Sequence, residues 1–89
     1  MKTGIELIAD ERAEQIEKHG ITIEEDVNKN RNYELPNGAI MSITGYIDKM
    51  PYGWNYKICQ HIVGKPYKER LIIAGALIAA EIDKLQAIE

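Results

Sequence analysis

Residues 71–85, LIIAGALIAAEIDKL, decide the fold. The first ten are apolar or small at every position, so a helix wound from them has to be enclosed by neighbours on all sides. The run is well short of the roughly 20 apolar residues that cross a membrane. Packing against other helices is what remains. Glu81 follows Leu77 by four residues and Ile78 by three, so a carboxylate projects from or beside the packed face. There it needs a partner.

Working outward, Leu71, Ala74, Ile78, Ile82 and Leu85 form one stripe, with Ile73, Leu77 and Ala80 beside it. Ala76, Ala79 and Ala80 line another side, where small side chains let a second helix or a second copy approach. This long helix is expected from about Pro66 to Ala87. Before it, residues 50–66, MPYGWNYKICQHIVGKP, carry proline and glycine at both ends and read as an irregular segment with a short turn around Ile58, Ile62 and Val63. Leu35, Ala39, Ile40, Ile43, Tyr46, Ile47 and Met50 keep helical spacing and predict a helix over Pro36–Lys49. Gly45 would lie inside it at a cost of about 1 kcal/mol, tolerated for close helix packing. At the N-terminus Thr3 and Glu6 have capping-box spacing. Ile5, Ile8, Ala9, Ala13 and Ile16 follow at three- and four-residue steps, and Gly20 is a natural stop, which predicts a helix over Ile5–His19. A second box at Thr22–Glu25 leads into a polar run read as one or two exposed turns and a loop. The fold class is all-α: a single domain over residues 1–89, a compact three-helix domain with a short extra helical turn and an irregular aromatic segment before the long C-terminal helix.

Eighty-nine residues supply one modest core, and a homo-oligomer would add to it. Eleven Lys and Arg against fourteen Asp and Glu give a net charge of −3, which argues against a nucleic-acid polymer as partner. The lone Cys59 makes no internal disulfide and suits a reducing compartment. The charged N-terminus is unlike a secretion signal. A cytoplasmic protein with no membrane partner is expected.

Every aromatic residue is tyrosine or tryptophan, and five of them fall between Tyr46 and Tyr67. Such rings stack on flat ligands, close over cores and dominate interfaces. On helix one, Arg12 is four residues from Ile8 and from Ile16, so its stem runs along the buried stripe. Glu11, Arg12 and Gln15 share the rim of that face. One reading is a structural ion pair between Arg12 and Glu81 across packed helices. A second is a pocket of Arg12, Gln15, Trp54, Tyr56 and Lys65 for an anionic, base-containing ligand, because a guanidinium grips phosphate, an amide reads a base edge and a ring stacks. A third takes Glu11, Glu14, Asp26 and Glu81 as carboxylates around Mg²⁺ for nucleotide pyrophosphate hydrolysis. Lys84 stands where a second E-x-x-D half would need aspartate, so the ligand set is incomplete. His19 fits a helix C-terminal capping role. Cys59 and His61 would face different sides of a helix, and Cys59 reads as buried packing.

Glu11-Arg12-x-x-Gln15, Lys18-x-Gly20 with Thr22 and Asp26, Leu35, Ala39 to Tyr46, Pro51 with Trp54, Lys65-Pro66 and the block Ala74-Gly75-Ala76-Leu77-Ile78 leading to Ala80-Glu81-Ile82 and Leu85 together resemble a family of small, uncharacterised all-α proteins encoded by phages and prophages. The chain departs from that pattern at Ile21, at Tyr52 and Tyr56 in the aromatic cluster, and at Glu69-Arg70. The resemblance implies an all-α accessory protein of the phage type. Such proteins often counter host factors, so the expected role is binding, without catalysis and without a cofactor, of a nucleotide-like small molecule such as a host defence signal. The alternatives are the Mg²⁺-dependent hydrolase and an oligomeric module that targets a host protein.

Overall fold

The computed structural model describes residues 1–19, 27–28 and 32–88. Among them lie four α-helices: α1 (Gly4–His19), α2 (Glu34–Thr44), α3 (Tyr56–Val63) and α4 (Tyr67–Ile88), with a 3-10 turn at Ile47–Lys49. The all-α class holds. The expected three helices become four, because the turn expected near Ile58 is a two-turn helix. Its start is fixed by Asn55, whose side-chain oxygen accepts the Ile58 N–H at 3.0 Å.

Helix α1 begins at its capping box. Glu6 N–H donates to Thr3 Oγ1 at 3.2 Å, and Thr3 N–H donates to Glu6 Oε1 at 2.8 Å. Helix α2 stops at Thr44, well before the predicted Lys49. Gly45 is its left-handed cap, with φ of 74°, and its N–H bonds the Met41 carbonyl at 2.8 Å. The glycine terminates the helix and does not sit within it. Close approach is real all the same, since a Cβ on Gly45 would lie 2.5 Å from Arg70 Nη1. That guanidinium reaches the Ser42 and Ile43 carbonyls at 3.4 Å each and the Lys65 carbonyl at 3.0 Å. A cation over the last carbonyls of α2 ties its end to the start of α4.

The other end of α2 is tied to the far end of α4. Lys84 Nζ donates to the Asn32 carbonyl at 3.3 Å. The two helices therefore run antiparallel. Leu35 and Ala39 of α2 meet Ile73, Ala74, Leu77 and Ala80 of α4 in the core, with Trp54 and Ile62 packed against it. Helix α1 also packs on α4.

The buried face of α4 is only in part the predicted one: Ala74 of the stripe and Ile73, Leu77 and Ala80 beside it are buried, and the rest of the stripe is not. Ile73, Ala74, Ala76, Leu77, Ala80 and Lys84 are buried, whereas Leu71, Ile78, Ile82 and Leu85 are between 41 and 51 % exposed. Apolar residues all round a helix leave the choice of face to the neighbours. Here the face richer in small side chains wins, since alanines let two helix backbones approach. Ala76 and Ala80 are fully buried within the chain, so they are not available as the oligomer contact proposed from sequence. Among the described residues no helix is long and apolar enough to cross a membrane.

Candidate functional site

A groove of about 570 Å³ opens between α1, the Trp54 turn, α3 and α4. Its apolar lining comes from Ile62 of α3 and from Ile73 and Leu77 of α4, beside the buried Cys59. Glu11, Glu14 and Gln15 of α1 line it, as do Trp54, His61 and Lys65.

Trp54 is delivered by a tight turn. Its N–H bonds the Pro51 carbonyl at 3.2 Å, and Gly53 adopts φ of 85°. The six-membered part of the indole lies on Gly38 of α2: a Cβ there would sit 2.5 Å from Trp54 Cη2 and 2.7 Å from Cζ3. A bare helix backbone thus seats the ring.

Of the five residues predicted to bind a ligand, Gln15, Trp54 and Lys65 line this groove; Arg12 and Tyr56 do not. Arg12 is 8 % exposed, and its Nε stands 3.6 Å from Asp83 Oδ2. The ion pair between the first and last helices is therefore made with Asp83 in place of Glu81. Glu81 is held by Lys84, 2.6 Å away on the next turn. A buried ammonium beside a carboxylate is the simpler local arrangement, and it leaves the arginine to the acid two residues further on. Tyr56 is more than half exposed, with its hydroxyl accepting from Gln60 Nε2 at 3.3 Å. All five tyrosines are on the surface. Lys65 approaches Glu69 at 3.9 Å, a loose pair that leaves its ammonium at the groove edge.

Gln15 is 3 % exposed. Its Nε2 makes a long contact to Glu11 Oε2 at 3.5 Å, and its Oε1 is buried with no hydrogen-bond partner among the described residues. An unsatisfied buried amide oxygen is costly, roughly 1–3 kcal/mol, unless a donor reaches it.

For the magnesium reading, Glu11 and Glu14 share the groove but Glu81 faces the Lys84 ammonium, and Asp26 lies outside the described residues. Among the described residues no three of His, Cys, Asp and Glu come together as a metal-holding group. The second capping box at 22–25 and the His19 side chain also lie outside the described residues. Cys59 is fully buried, and loss of water pushes its thiol pKa up. That is the reverse of what a nucleophilic cysteine needs.

Sequence reasoning missed Gly38, Asn55, Arg70 and Lys84. Asn55 before a run of apolar spacing is an N-cap signal. Gly38, two residues past Pro36, reads as a start signal until a ring is seen resting on it. No protein-family model, no curated protein and no solved structure matches the chain.

Proposed function

We propose that this chain is a binding protein without chemistry, a small accessory protein of the phage type that holds a nucleotide-like molecule in the Trp54 groove within the host cytoplasm. One juxtaposition carries the reading: Gln15, Trp54 and Lys65, from three separate stretches of chain, line the same groove. A tryptophan seated on helix backbone offers a fixed surface for a flat ring. The Gln15 Oε1, which has no donor among the described residues, would accept an N–H from a base edge. Lys65 would meet a phosphate as a point charge.

Charge narrows the ligand. With Arg12 held at Asp83, the lining offers Lys65 against Glu11 and Glu14. A mononucleotide or nucleoside suits this balance better than a triphosphate, whose charges would face two carboxylates.

Trp54 is the only tryptophan, so its emission reports the groove alone. Titration with nucleosides, monophosphates and triphosphates is expected to quench it most strongly with a monophosphate. Lys65→Ala should weaken that ligand about tenfold, the size of one charge-assisted hydrogen bond, and leave nucleosides unaffected. Unchanged emission across all three classes would contradict the reading.

A further inference from the structure

The side of α4 facing away from the core carries an aliphatic seam. Leu71, Ile78, Ile82 and Leu85 are 41, 45, 51 and 45 % exposed. Taken with Gly75 they step by four, three, four and three residues. That spacing holds one line of side chains toward a neighbouring helix. Ile73, Leu77, Ala80 and Lys84 occupy the opposite side and are buried within the chain. The helix therefore has two apolar faces; the chain covers the first, and of the second it covers Gly75 and the flanking Ala74.

Two details shape the open face. The gap at Gly75 is filled from α1, because Ile8 Cδ1 lies 2.6 Å from where a Cβ on Gly75 would stand. Ile5, one turn earlier on the same side of α1, is 83 % exposed. The partly or fully exposed positions flanking the seam, Ile72, Ala79, Gln86 and Ile88, are uncharged, while Ala74 on the same flank is buried in the core. Glu81, also on the flank, is neutralised by Lys84.

We propose that this seam is the contact between two copies of the chain. An aliphatic face with no charge pattern is its own complement, as a two-fold contact requires. A surface that selects a different protein normally adds charges along its flanks to set partner and orientation, whereas along this one only Lys68 at its start and the Lys84-paired Glu81 are charged. The chain also has reason to need it: three of the six core side chains are alanine (Ala39, Ala74 and Ala80), while larger aliphatics stay outside.

Size sets the strength. Ile5, Leu71, Ile78, Ile82, Leu85 and Ile88 together expose the equivalent of about three whole aliphatic side chains. At roughly 100 Å² each that is about 300 Å² of apolar surface per copy. With homodimer interfaces near 65 % apolar, the whole contact would bury on the order of 1,000 Å², the scale of a reversible association.

Sedimentation velocity from micromolar to millimolar chain tests this. The expected result is a monomer that becomes a dimer with rising concentration, and a midpoint raised at least about tenfold by Ile78→Asp and by Ile82→Asp, both with unchanged helical circular dichroism. Should an aspartate unfold the chain, Ile78→Ser and Ile82→Ser are measured instead and are expected to raise the midpoint too. Neither residue lines the Trp54 groove, so the outcome is independent of ligand binding. A monomer at millimolar concentration would assign the seam to some other partner and overturn the proposal; so would a dimer that the substitutions leave intact.

Discussion

At the scale of single residues, the contact between Trp54 and Gly38 governs the groove. A methyl group on Gly38 would meet the indole at 2.5 and 2.7 Å and Leu77 Cδ1 at 3.2 Å. Alanine in a helix gains up to about 1 kcal/mol over glycine, but overpacking a rigid ring costs roughly 1–3 kcal/mol, and the clash wins. Gly38→Ala is therefore expected to lower stability by about 1 kcal/mol in urea unfolding and to shift Trp54 emission to the red as the ring moves toward water. A stabilised variant with unchanged emission would contradict this seating. The burial of Arg12 was legible from its spacing to Ile8 and Ile16, and it is 8 % exposed. Its partner was not. Glu81 and Asp83 lie within one turn of α4, and the choice between them follows from Lys84, which turns inward to Glu81 and to the Asn32 carbonyl. Sequence spacing records that 81 and 84 are neighbours on a helix, but not that a lysine is drawn into the core side to meet a connection that ends fifty residues earlier.

At the scale of elements, boundaries with chemical markers were readable and those without were not. The Thr3–Glu6 box sets the start of α1, and α4 begins and ends within a residue of the predicted span. Helix α3 was hidden because its eight residues hold only one fully buried side chain, Cys59, and stand between glycine- and proline-rich turns. The inner face of α4 was only partly legible because aliphatics surround it. The capping box also gives α1 a pH dependence of known sign. Bonding to the Thr3 N–H and then to its hydroxyl holds the Glu6 carboxyl below the ordinary glutamate range. A lowered folded-state pKa means that the stabilisation is complete above the unfolded value and is lost as pH falls through the folded one. Following the Glu6 carboxyl carbon by NMR should give a titration midpoint below that of an unstructured glutamate, with Thr3 amide protection lost over the same interval. A midpoint at or above the unstructured value would remove the cap from this account.

At the scale of the whole molecule, α4 organises everything else. One face receives α2 and the Trp54 turn, a second side meets α1 at Gly75 and Asp83, and a third is left as the aliphatic seam. The groove exists only because this arrangement brings α1, the turn, α3 and α4 around one hollow. Three of its residues could be named from composition and chemistry, and their common location depended on packing that no local pattern encodes. Amide and indole shift mapping of isotope-labelled protein against a nucleoside monophosphate tests this assembly most directly. The account predicts saturable shifts at Gln15, the Trp54 indole, Asn55, Cys59 and Lys65, with Ile78 and Ile82 unmoved. Shifts confined to the seam, or no shifts at saturating nucleotide, would contradict it.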